Sequence, residues 1–159
     1  MILMSEDRKK DVFHRILVPV TGTDADDETM RTACWIAKRD KSRIFAMYVI
    51  TIKRSLPLEA EIDSETHRAE EILMRMEKIA EDEDFSIETD LLQAREIAPT
   101  IVAEAADHKI DLILMGVKPQ SRFGQFSLGS IVPYVLRNAP CQVMLYSRYS
   151  NITGDREKK

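Results

Sequence analysis

The sequence predicts an α/β domain in three layers, α/β/α, around a sheet of five parallel strands. Three observations predict it. Short apolar runs recur (RILVPV at 15–20, RIFAMYVI at 43–50, DLILMG at 111–116), each the length of a strand buried on both faces. Between them lie segments with apolar residues at helical spacing. The connections are long enough for helical crossovers, so strand and helix alternate four times before a last strand. At 159 residues the chain is one domain of ordinary size, and folding should bury roughly 70% of its unfolded surface.

Each element has its own signal. Residues 1–14 are polar and aperiodic and read as a tail, with Val12 and Phe13 docking at its end; 15–147 read as the domain. After the first strand, TGTDAD supplies turn and cap chemistry, with Asp24 or Asp26 as N-cap of a helix that turns Met30, Ala33, Cys34 and Ala37 inward. Arg43 to Ile50 is the second strand, and 51–62 is a loop broken by Pro57. The longest helix runs from Asp63 to Ala80 on an apolar stripe of Ala69, Ile72, Leu73, Met76, Ile79 and Ala80. The acids Glu81 to Asp84 oppose the negative end of its dipole and mark its end. Alternation over Phe85, Ile87, Thr89 and Leu91 predicts a strand from 85 to 92. Pro99 opens a third helix with Ile101, Val102 and Ala105 inward. Asp111 to Gly116 is a strand, 117–129 a loop, 130–138 a helix, 142–146 the last strand, and 148–159 a polar tail.

Composition excludes several classes. Hydrophobic residues make up 44% and charged residues 31%, which suits a globular chain rather than a disordered one. No apolar run approaches a membrane span, and the N-terminal stretch lacks the layout of a signal peptide, so a cytoplasmic protein without membrane insertion is expected. Cys34 and Cys141 then read as free thiols. A net charge of -4 disfavours nucleic acid as a partner. The charge is uneven. From Glu59 to Asp90 thirteen acids face three bases, whereas Leu112 to Gly154 holds no acid, only Lys118, Arg122, Arg137 and Arg148. Such a segment tolerates an anion; a buried C-terminal half with chance composition gives the same count.

In doubly wound sheets ligands bind beyond the carboxyl ends of the strands, where the winding reverses. Two segments leave strand ends with glycine and hydroxyl residues: Thr21-Gly22-Thr23 and GVKPQSRFGQFSLGS from Gly116 to Ser130. In the second, Gly124 and Gly129 allow close approach, Ser130 opens a helix with free N–H groups, and Lys118 and Arg122 add positive charge. Together they describe a phosphate cradle; glycines that serve only as turns are the plainer reading. A P-loop is rejected, because Ser130 stands where that loop needs Lys and no strand precedes Gly124 directly. No G-x-G-x-x-G follows a strand either.

Taken together, ILVPVTGT, YVI, DLILMG, the closing LGS and NAPCQVML resemble the universal stress protein family, over about Arg15 to Ser147. The resemblance implies an adenine nucleotide alpha-hydrolase-like sheet of order 3-2-1-4-5. It implies ATP or another adenine nucleotide, or a different small phosphorylated ligand, in the crevice between the first and fourth strands. Pro19, Val20 and Thr21 would line the base pocket, and Val49 would meet the adenine through its backbone. Gly116, Gly129, Ser130 and the backbone of Ile131 would contact ribose and phosphates. Two positions depart from the family pattern: Thr21 replaces its usual Asp, and Pro119, without an N–H, replaces a Gly. Ser121, Arg122 and Gly124 remain to hold an anion by another route. The resemblance also implies a homodimer through the last strand, Gln142 to Tyr146.

The other chemical candidates carry less. His14, His67 and His108 lie far apart, with no partner at metal-ligand spacing on a shared face; His108 reads as a helix cap, and no metal is expected. Ser130 has no base near it in sequence and reads as a helix cap rather than a nucleophile. No catalytic residue is expected, and at most weak ATP hydrolysis. A regulatory, nucleotide-binding stress module is therefore expected; the alternative is an interaction protein of the same fold without nucleotide, such as one regulating a transporter.

Overall fold

In the computed structural model the chain is described over residues 12–118, 120–122, 125–127 and 129–147. Residues 1–11 of the predicted 1–14 tail and the whole predicted tail at 148–159, together with Pro119 and Gly124, lie outside the described residues. The elements in chain order are β1 (Arg15–Pro19), α1 (Asp24–Asp40), β2 (Arg43–Thr51), α2 (Asp63–Asp82), β3 (Glu88–Ala94) and α3 (Ile97–Asp107). They continue with β4 (Leu112–Val117), β5 (Gln120–Arg122), β6 (Gln125–Ser127), α4 (Ile131–Asn138) and β7 (Gln142–Ser147). The main sheet has five strands, all parallel, in the order β3-β2-β1-β4-β7.

Successive residues of the central strands feed opposite faces, so each face has its own core. Ile16, Val18, Ile44, Ala46, Leu112 and Leu114 pack with Met30, Ala33, Cys34 and Ala37 of α1 and Leu73 and Met76 of α2. Leu17, Phe45, Met47, Ile113 and Met115 pack with Ala98, Ile101 and Ala105 of α3 and Val132 and Val135 of α4. The apolar runs therefore lack a polar alternate because neither face meets water. The amino end of β1 is fixed by Asp111, which accepts hydrogen bonds from His14 N (2.8 Å) and Arg15 N (3.0 Å).

Several expected boundaries move. Phe13, expected to dock at the end of the tail, is buried, and its N–H donates to Asp40 Oδ2 at 3.1 Å. The N-cap of α1 is Thr23, neither Asp24 nor Asp26. Helix α2 runs on to Asp82, where Lys78 Nζ meets Asp82 Oδ1 at 2.8 Å one turn away and offsets part of the dipole conflict. Strand β3 begins at Glu88, opposite Phe45, and not at 85. Phe85 and Ile87 pack against the core from the connection after α2, so their alternation marks anchoring residues, not ladder positions. Helix α3 starts at Ile97, which leaves Pro99 in the first turn, where no intrahelical donor is needed. The 117–129 loop contains an antiparallel hairpin, β5 with β6, in which Ser121 pairs with Phe126.

Candidate functional site

The sheet reverses its winding between β1 and β4. The segments that leave those two strands part there and open a crevice at their carboxyl ends. Pro19, Val20, Thr21, Met47, Tyr48, Val49, Ile97, Ile101, Met115, Gly116 and Ile131 line it, around an empty volume of about 530 Å³ that includes its open mouth. No charged side chain is among these lining residues. Ile97 and Ile131 also border a shallower hollow with Ser130, Tyr134 and Thr51.

Strand β2 passes the end of β1, and this shapes one wall. Val20 N–H donates to Met47 C=O at 2.9 Å, so the Met47 peptide faces β1. Two residues later Val49 directs its N–H and C=O to the same side, beyond the last β1 residue. Ile52 N–H bonds Ala94 C=O on the β3 side, as the alternation requires.

The segment after β1 is held from within. Asp26, in the first turn of α1 and 3% exposed, accepts hydrogen bonds at Oδ2 from Thr21 N (3.1 Å), Gly22 N (2.6 Å) and Thr23 N (3.2 Å). Three consecutive amides thus converge on one carboxylate, the arrangement that elsewhere receives a bound anion. Burial pushes the Asp26 carboxyl above its ordinary range, against the lowering effect of these amides. Gly22 sits at φ +88°, a left-handed conformation that a side chain would strain.

The segment after β4 is built differently. Gly116 lies against α1: a Cβ there would stand 2.3 Å from Thr29 Oγ1 and 2.9 Å from the Ala25 carbonyl oxygen. Lys118 Nζ lies 3.8 Å from Asp24 Oδ2 with both side chains exposed, which moderates its pull on an anion. The backbones of Ser121 and Arg122 enter the β5–β6 ladder. Gly129 has φ +75° with nothing within 4 Å of a Cβ position, and it delivers the chain to Ser130 at the start of α4. Ser130 occupies the N-cap position, yet its side chain makes no capping hydrogen bond, contrary to the capping role expected for it.

Of the expected site residues, Pro19, Val20, Thr21, Val49, Gly116 and Ile131 come together around one cavity. Gly129 and Ser130 stand beside it, Lys118 follows β4 and faces Asp24, and Ser121 and Arg122 lie in the hairpin. Gly124 is outside the described residues. Sequence reasoning passed over Met47, Tyr48, Ile97, Ile101 and Met115 as lining, and it passed over the grip of Asp26 on three amides. The pattern Thr23-x-x-Asp26, an acid three residues after a hydroxyl cap, was its available signal. Cys34 is buried, and burial pushes its thiol up to about 11; burial raises Cys141 as well, so neither is poised as a nucleophile.

Comparison with known proteins agrees with this architecture. Residues 13–147 match the Universal stress protein family model. Universal stress protein MJ0531 of Methanocaldococcus jannaschii is 30% identical over 145 residues, covering 87% of this chain and 85% of that protein. A universal stress protein structure from Archaeoglobus fulgidus superposes with a TM-score of 0.72 at 21% identity, covering 84% of this chain and 98% of the other. The structure of the Archaeoglobus fulgidus protein in complex with dAMP gives 0.68 at 20% identity, covering 84% and 98%. With its sheet order, its crevice and these matches in agreement, the chain belongs to the universal stress protein family.

Proposed function

We propose that the crevice binds an adenine nucleotide and that the chain works as a homodimeric regulatory module. The carrying observation is the apolar slot at the β1/β4 seam, with the Val49 backbone turned toward it past the end of β1. An N–H and a C=O side by side match the acceptor and donor on the Watson–Crick edge of adenine, and Pro19, Ile97, Met115 and Ile131 supply flat apolar contact for the ring. The dAMP complex of the structural neighbour supports the same ligand class. The amides of Thr21 to Thr23 are held by Asp26; the phosphates are assigned to the other wall, at the Ser130 hydroxyl and the first turn of α4, beside Gly129. The Ser130 hydroxyl, not used as a cap, is a donor for them.

Dimerisation is assigned to β7. It is the edge strand of the sheet, and Met144 and Leu145 on it are exposed. An uncovered apolar edge pairs readily with a second copy through a two-fold axis. The other reading, an interaction protein of the same fold without nucleotide, is favoured by Thr21 and by the self-filled first loop. Equilibrium titration of ATP, AMP and GTP separates the two. Adenine nucleotides are expected to bind in preference to GTP, and Gly129→Asp is expected to weaken them. Wild-type protein that stays silent at millimolar nucleotide selects the interaction protein.

A further inference from the structure

At the opposite end of the sheet, strand β3 and helix α3 bring three donor side chains together. Oxygen atoms of Asp90 and Glu104 and a ring nitrogen of His108 all lie within 4.8 Å of one another. His108 Nε2 is 2.9 Å from Glu104 Oε2 and 4.0 Å from Asp90 Oδ2. Glu104 and His108 are one helical turn apart on α3, and Asp90 reaches them from β3. We propose that these three side chains form a binding site for one divalent transition-metal ion, with zinc the best fit, distinct from the nucleotide crevice.

Charge carries the first part of the argument. Among the described residues, neither carboxylate has a lysine or arginine within ion-pair distance, so both depend on one imidazole. Arg15 and Arg43 are near but engaged elsewhere: Arg15 donates to the His108 carbonyl oxygen, Arg43 pairs with Glu88, and both lie over the Phe45 ring.

Geometry carries the second. Tetrahedral zinc with bonds near 2.0–2.2 Å holds its ligand atoms about 3.4 Å apart, and the two observed spacings bracket that value. One imidazole nitrogen with two carboxylate oxygens suits zinc, while magnesium and calcium prefer all-oxygen shells. The side chains remain 20–46% exposed, which leaves a coordination position for water. The Phe45 ring, 5.6 Å from the His108 ring, packs beside the imidazole, and the Arg15 bond to the His108 carbonyl holds the backbone at this end of α3.

The test is calorimetric titration of zinc chloride into the chelator-stripped full chain near neutral pH, with no nucleotide present. One zinc per chain is expected, and His108→Ala and Asp90→Asn should each weaken it more than about tenfold. Cobalt(II) should give visible absorption without a thiolate charge-transfer band, and Cys141→Ser should bind as wild type does. Metal-free melting curves check that each variant folds. Absence of binding, unchanged affinity in His108→Ala, or a thiolate band would overturn the proposal and leave an ordinary helix-end ion pair. Because no nucleotide is used, none of these results bears on the crevice.

Discussion

Gly116 and Gly129 bound the same segment of the crevice and are glycine for opposite reasons. Gly116 has no room: α1 lies so close that a Cβ would meet Thr29 Oγ1 and the Ala25 carbonyl. Gly129 has open space where a Cβ would stand but a left-handed backbone. One glycine therefore sets how near helix and sheet approach, and the other sets the direction in which the chain enters α4. The segment thus begins at a packed floor and ends where a Cβ would meet open space, and the proposed function assigns the phosphates to that second end.

Substitution at the floor should have the largest effect. Gly116→Ala forces α1 away from β4 and should cost about 3 kcal/mol, the upper part of the range for overpacking a core. The melting temperature should fall by roughly 6–12 °C for a domain of this size. Thr29→Ala in the same chain removes the nearest clash and should recover part of the loss, although the Ala25 carbonyl remains. If Gly116→Ala melts as wild type does, the helix–sheet contact is not what requires glycine there.

Asp26 offers the next effect, on the other side of the floor. Asp26→Ala strips three part-buried amides of their acceptor and should cost about 2 kcal/mol, since water can reach part of the loop. The charge has a separate signature. Burial raises the native carboxyl above the ordinary value of 3.8, so the folded state holds this proton more tightly than the unfolded state. The stability it contributes is therefore greatest below 3.8 and declines as pH rises through the window up to the raised native value. Urea midpoints from about pH 4 to about pH 7 should fall more steeply for wild type than for Asp26→Asn. Parallel profiles would show that the three amides fully offset burial.

The fold was legible because both faces of the central strands are dry. Pairs such as Ile16 and Leu17, or Ile113 and Leu114, serve opposite cores, and only a two-sided sheet calls for unbroken apolar runs. That Pro19, Val20 and Val49 line one crevice was legible by resemblance. The reason for Gly116 was not, because it depends on how closely α1 approaches β4, a distance that no local pattern encodes. The β5–β6 hairpin was hidden because QSR and QFS carry little strand signal. The Asp90, Glu104 and His108 cluster was missed: contrary to the expectation that His108 has no such partner, Glu104 shares its helix face one turn away, and Asp90 joins them only once β3 and α3 are placed.

The smallest effect on stability, and the sharpest on function, belongs to Gly129. An L-residue in the left-handed region costs about 1–2 kcal/mol, and asparagine less, so Gly129→Ala should destabilise more than Gly129→Asn. A Cβ at this position meets nothing within 4 Å. If phosphates are held by the backbone in this conformation, the same strain must be met again in the bound state, where alternative loop conformations no longer relieve it. Each 1 kcal/mol so retained lowers nucleotide affinity about fivefold. Affinity for AMP should then follow the order Gly, Asn, Ala, with adenosine, which lacks the phosphate, nearly indifferent to the substitution. Should adenosine and AMP weaken equally, Gly129 acts on the shape of the crevice as a whole, and the phosphate contacts lie elsewhere along the β4–α4 segment.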